Sequence, residues 1–328
     1  MAQRITIEEK LSALSTLERD SSAPKVAIQL NLYLRDPQNI VAARAASIIA
    51  RLGLESCIPE LISVLTRLLK HSNPAQADKT CRAKEAIVLA LHALRNPDPD
   101  PYLLGIGHVQ LEPVWGGRAD TAAPLRAHCA TALARMRFFE AHFALTPLLV
   151  DAEAQPRLAA VRALVFLAGE RSELLLRLKV LTGDTDLEVI NECYLGLLEI
   201  EPDRSLPFIA GFLNSADAPT VESAALALGA SRHANAFPLL RAAWEQNTDL
   251  TLRKSLLLSF ALTRTVPAFD YLLQIMRDEG GTTAILACDA LALYGVDPRY
   301  RDRLEAAVVA CHNPKLSDAY SAHFPPTP

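Results

Sequence analysis

The chain has 328 residues, half of them apolar, with only 13 glycines; this excludes a disordered polymer and leaves ample material for a buried core. Its net charge of −4 is unevenly spread, +3 over residues 1–140 (17 basic, 14 acidic) and −7 over residues 141–328 (16 basic, 23 acidic), which argues against a dedicated nucleic-acid binder. Neither an apolar leader at residues 1–10 nor a run of about 18 uncharged apolar residues is present, so a cytoplasmic protein with no membrane partner is expected.

Thr6 and Glu9 have the spacing of a capping box, and Ile7, Leu11, Leu14 and Leu17 continue at helical period, predicting a first helix that ends near Asp20. Ser21-Ser22-Ala23-Pro24 breaks and restarts the chain. A helix pair follows, Lys25 to Arg35 and Gln38 to Leu52, split at Asp36-Pro37 and closed by Gly53. The next pair is Pro59 to Lys70 and about Ala75 to Leu94, with His71 to Pro74 as the turn.

From Asn96 the pattern changes, and Asn96 to Leu104 has room for at most a short helix. Four of the 13 glycines and one of two tryptophans then fall within residues 105–120. That density of Gly and Pro predicts an ordered loop inserted between the two helices of one pair. Asp120-Thr121 is expected to cap the helix that carries Leu125, Leu133 and Met136.

Regular pairs resume: Ala141 to Val150 with Pro156 to Ala168, Ser172 to Leu181 with Leu187 to Ile200, and Leu206 to Leu213 with Thr220 to Ala230. Two more are Ala236 to Glu245 with Leu250 to Leu262, and Ala268 to Asp278 with Thr283 to Tyr294. A helix from Arg301 to Cys311 should close the stack, leaving 313–328 as a poorly ordered tail and 1–312 as a single domain.

Across these pairs, Leu133, Leu164, Leu195, Leu226, Leu258 and Leu291 recur at steps of 31, 31, 31, 32 and 33 residues, with small residues beside them. A period in that range predicts an all-α superhelix, a solenoid of about eight helix pairs in which each unit buries its apolar face on its neighbours. The leucines would fill the shared core and the small residues would let helices approach closely. Nine residues before three of the leucines stand Asp186, Asp217 and Asp249, read as helix caps.

The chain here resembles the HEAT repeats in their short bacterial, PBS-lyase HEAT-like form. The resemblance rests on Pro147-Leu148-Leu149 and Pro238-Leu239-Leu240, more weakly on Pro207-Phe208-Ile209, with the turn aspartates and Ala-rich second helices ending in Leu-Gly (Leu228-Gly229, Leu52-Gly53). It covers residues 121–295 well and 23–95 plausibly. It implies a right-handed solenoid whose second helices line a concave face. On that face it places Arg44, Arg51, Arg82, Lys84, Arg126, Arg135, Arg157 and Arg162, then Glu188, Glu192 and Glu222, basic at one end and acidic toward the middle.

Motifs for chemistry are scarce. No His is followed by Glu, unlike the di-iron hydroxylases of this family, and the six scattered cysteines form no CxxC pair and read as reduced core residues. Gly105-Ile106-Gly107 lacks the third glycine of a dinucleotide fingerprint. His108 and Glu112 have metal-pair spacing but are flanked by Gly107 and Pro113, so no metal and no cofactor is expected. Trp115 is either a plug between repeats or an anchor for a partner. The reading that follows is a non-enzymatic scaffold for a protein partner, with Trp115, Arg118, Arg126, Arg157 and Arg162 as candidate contacts. A lyase or isomerase acting on a bilin or another small molecule, which the resemblance also allows, is the alternative.

Overall fold

The computed structural model describes residues 6–19, 23–295 and 297–325, and of residues 23 and 24 the backbone alone. The expected break at residues 21 and 22 lies outside the described residues. Among the described residues the fold is all-α apart from one β-hairpin, and the helices alternate in pairs as a helical repeat requires. The chain divides into two compact units, residues 1–172 and 173–328.

In the first unit, α1 (Ile7–Leu17) opens with the expected capping box: Thr6 accepts from the Glu9 N–H and the Glu9 carboxylate accepts from the Thr6 N–H. There follow α2 (Ala23–Leu34), α3 (Asn39–Arg51), α4 (Ile58–Leu69), α5 (Pro74–Ala77), α6 (Arg82–Ala93), α7 (Asp100–Ile106), α8 (Ala123–Arg135), α9 (Ala141–Leu145) and α10 (Ala154–Leu167). The second helices α3, α6, α8 and α10 pack side by side in one layer, and α2, α4 and α7 in the other. Both layers bury leucine, isoleucine and alanine from their facing stripes, Leu30, Val41, Ile48, Leu61, Ile87, Leu91 and Leu125 among them.

The second unit continues with α11 (Gly169–Thr182), which begins at the end of the first, then α12 (Leu187–Ile200), α13 (Pro202–Ala210), α14 (Ala218–Ala230), α15 (Ala236–Gln246), α16 (Leu250–Leu262), α17 (Val266–Asp278), α18 (Gly281–Leu291), α19 (Pro298–Ala310) and α20 (Pro314–His323). Here α12, α14, α16 and α18 form the layer of second helices. Asp186, Asp217 and Asp249 are N-caps, accepting from the N–H groups of Glu188, Thr220, and Thr251 and Leu252.

Four differences from expectation have physical causes. The helix predicted over 75–94 is broken, because Asp78 accepts from the Ala83 and Lys84 N–H groups and starts α6 late, while Thr80 and Cys81 turn through positive φ. The residues expected as a tail form α20, whose Leu316 is buried and whose following Phe324 packs over Gly295.

The loop at 105–120 is in part a hairpin: β1 (Leu111–Val114) pairs antiparallel with β2 (Gly117–Asp120) about the turn Trp115-Gly116. Gly116 at φ +87° supplies the positive angle of a type II turn.

The core register also departs from the leucine ladder. Leu133, Leu164 and Leu291 are fully buried as expected, but Leu195 and Leu258 are 42% and 40% exposed. The fully buried positions are Leu133, Leu164, Leu197, Leu228, Phe260 and Leu291. The helix face turns by two residues after α10 and returns before α18, so three of the marked leucines lie at or near the surface.

Several second helices end on a residue in the left-handed conformation: Gly53, Arg95, Arg137, Arg232 and Arg264. After the first three, the next N–H reaches back five positions, from Leu54 to Ile49, Asn96 to Leu91 and Phe138 to Leu133, closing Schellman caps. Arginine in place of glycine is costly there, yet Arg137 lies over the Phe166 ring and Arg264 over the Tyr294 ring, each in a later helix pair.

Candidate binding site

The hairpin is set on a buried polar network rather than on an apolar floor. Glu112, on β1, points inward, and one carboxylate oxygen accepts from the Thr80 N–H at 2.6 Å, the Gln110 amide at 2.7 Å and the Thr121 hydroxyl at 2.8 Å. Gln110 in turn accepts from the Lys84 ammonium at 2.6 Å and donates to the Asp78 carbonyl. Lys84 and Asp78 are fully buried and 3.7 Å apart, so the charge of each is compensated.

At the other end of the hairpin Asp120 accepts from the Gln110 and Ala122 N–H groups and from Arg126 at 2.7 Å. Arg126 makes a two-pronged pair with Asp151, at 2.7 and 2.8 Å, and also donates to the His108 carbonyl. Asp120 therefore braces the entry to α8 at Ala122, while the cap position itself makes no side-chain bond.

Burial raises the carboxyl pKa of Glu112 and of Asp120, but the hydrogen bonds converging on each outweigh it and hold both below the usual carboxylate range. Burial likewise opposes the charge on Arg126, and its bonds to Asp151 and Asp120 overcome that. His108, whose ring lies 3.4 Å from the Gln110 oxygen, is held below its ordinary pKa by burial and by Lys84. The His108 and Glu112 spacing thus serves hydrogen bonding, and among the described residues no group of three metal-ligating side chains converges.

On this foundation Trp115 stands fully exposed at the hairpin tip, flanked by exposed Val114, Leu111 and Val109. It fills no gap between repeats. Arg118 is exposed beside it, and Arg162 is exposed on α10. Arg126 and Arg157 are 2% and 7% exposed; Arg157 donates to the Asp151 and Ala152 carbonyls, so the structure gives both a place inside the protein rather than on a partner-facing surface. Lys84, also expected on the face, is interior for the same reason. The candidate residues are therefore split between a displayed set and the scaffold that holds it.

The outward stripe of the second helices in the first unit carries Ile40, Arg44 and Arg51 on α3, Arg82, Glu85 and Leu89 on α6, and Arg135 on α8. Between α3 and α6 the first six of these line a groove of about 650 Å³. Arg44 and Arg51 both pair with Glu18, whereas Arg82 has no ion-pair partner among the described residues. In the second unit the matching stripe of α12 presents Glu188, Glu192, Leu195 and Glu199, spaced at i, i+4, i+7 and i+11. The surface leucines Leu195 and Leu258 belong to this display; the sequence ladder hid them because they share its 31 to 33 residue period.

Five of the six cysteines are buried, and burial pushes the thiols of Cys81, Cys193 and Cys288 up to about 12. Such thiols are packing groups rather than nucleophiles. No helix among the described residues is long and apolar enough to cross a membrane.

No protein-family model and no curated protein sequence matches the chain. Among solved structures, it is similar to the Escherichia coli protein YibA, at 11% identity and a TM-score of 0.47 over 90% of this chain and 100% of that one. It is similar also to a mutant of Kap121p, at 14% identity and a TM-score of 0.44 over 98% of this chain and 46% of that one. Human deoxyhypusine hydroxylase in complex with glycerol matches at 16% identity and a TM-score of 0.31, over 79% of this chain and 91% of that one. At these scores the likenesses carry no argument about function, and the all-α repeat architecture rests on the helices themselves.

Proposed function

We propose that this chain is a HEAT-like scaffold without catalytic chemistry of its own, binding a protein partner through Trp115 and the side chains displayed by its second helices. The supporting observation is the contrast at the hairpin: a bare tryptophan held up by a saturated network of buried charges. Exposing an indole sacrifices the stabilisation its burial would bring, about 1.5–3 kcal/mol for a large apolar side chain, and large amphipathic side chains dominate interface energetics. The network removes the conformational entropy that a flexible loop would lose on binding.

Affinity capture from native lysate with wild type and Trp115→Ala tests this. A partner held by the first and lost by the second, with unchanged thermal stability, supports the reading. Equal capture by both, or none by either, rejects the assignment of the hairpin. Arg126→Glu is unsuitable as a companion variant, since it would set a carboxylate against Asp120 and Asp151 in the interior.

A further inference from the structure

A second concavity lies at the C-terminal ends of α6 and α8, away from the hairpin, which is tied to their N-terminal ends. A cleft of about 590 Å³ opens there, lined by His92, Arg95, Pro97, Tyr102, Arg135 and Met136 among others, and no carboxylate lines it. Its size falls within the range of small-molecule pockets. The Arg95 guanidinium has no ion-pair or hydrogen-bond partner among the described residues, and that of Arg135 meets only the face of Phe166, 5.3 Å from the ring centre. The walls combine these cations with apolar surface from Ala93, Pro97 and Met136, over the buried ring of Tyr102.

Arginines at the last turns of helices favour the helix dipole, which accounts for their sign. It does not account for two of them bordering one concave cleft with no acidic side chain in its lining, when Arg126, Arg44 and Arg51 in the same unit each have a carboxylate. Arg95 also occupies a left-handed position, φ +54°, where glycine would cost less.

We propose that this cleft binds a small organic anion, a carboxylate or phosphate monoester on an apolar body. The charged end meets Arg95 and Arg135, and the body lies against Ala93, Pro97 and Met136. Guanidinium recognition of either oxyanion is charge-assisted and two-pronged.

Calorimetric titration of the full chain with phenyl phosphate, benzoate, inorganic phosphate and neutral benzamide tests it. Phenyl phosphate or benzoate should bind saturably with Kd about 1 mM or tighter, as expected of fragment-sized ligands. Inorganic phosphate should bind more weakly and benzamide not at all; which of the first two binds better separates phosphate from carboxylate. Arg135→Gln and Arg95→Gly should each weaken the binding about tenfold, and added salt should weaken it further. Arg95→Gly suits the local backbone, so its loss of binding cannot be put down to misfolding. The proposal is overturned if neither aromatic anion binds, if benzamide binds equally, or if both variants bind as wild type does. Variants that lose only stability would leave the arginines with a dipole role alone, and would overturn it too.

Discussion

Glu112 shows how one side chain can decide a local structure. One oxygen of its carboxylate satisfies a backbone N–H, an amide and a hydroxyl, tying the hairpin to the 78–81 kink and to the start of α8. Glu112→Ala would strand all three donors in the interior, so it should destabilise the protein by roughly 2–4 kcal/mol in chemical denaturation. Because the Glu112 and Asp120 carboxyls are held below their ordinary range when folded, the stability they provide is complete above the unfolded carboxyl pKa. It drains away as pH falls through the lower folded values, from about pH 5 downward. In acid titrations Glu112→Ala should show a shallower loss of stability than wild type below that point; an identical slope would mean that the carboxylate is not held in this way. Neither the network nor the hairpin was legible beforehand. Glycine density marked residues 105–120 as special, but a glutamate one position before a proline carries no signal that three donors 2, 9 and 32 residues away will meet on it.

At the scale of the element, most helix bounds and caps followed from local chemistry, and registers did not. The aspartate caps, the capping box at Thr6 and α16 at 250–262 were all predicted, since caps and apolar period act within a few residues. Which leucine faces the core depends on the angle at which neighbouring helices meet, and a ladder with the right period can sit on the wrong stripe. Leu197→Ala should therefore cost roughly 3–5 kcal/mol, against under about 1 kcal/mol for Leu195→Ala, only two residues away; equal losses would restore the leucine ladder as the core. Close packing is visible at Gly229, where an added Cβ would lie 2.4 Å from the Ser259 carbonyl oxygen, so α14 and α16 touch backbone to backbone. The left-handed caps offer a gain instead. Arg232, exposed at φ +53°, should yield about 1 kcal/mol on replacement by glycine, read as a rise in Tm; a fall would show that its side chain contributes more than the backbone strain takes away.

For the whole molecule, charge and display differ between the two units. Residues 1–172 carry 20 basic and 17 acidic side chains and residues 173–328 carry 13 and 20, and the outward stripes follow the same signs, arginine on α3, α6 and α8 and glutamate on α12. A partner held by the first unit should then be released from immobilised protein as salt rises from about 0.1 to 1 M, over which the screening length falls from about 10 to 3 Å. Retention unchanged across that range would place the energy in Trp115 and its apolar neighbours rather than in the arginines.

The sequence by itself determined the all-α class, the pairing of helices from α2 to α18, the position of the insertion and the aspartate caps, because periodicity, capping and turn chemistry are properties of short stretches. Tertiary structure alone decided that Arg126, Arg157 and Lys84 lie inside while Trp115 stands outside. It also decided that residues 314–323 dock as a helix and that Leu195 and Leu258 face solvent. The difference is physical: an arginine on a helix stripe is the same residue whether solvent or a buried carboxylate faces it, and only long-range packing brings Asp120 and Asp151 to Arg126.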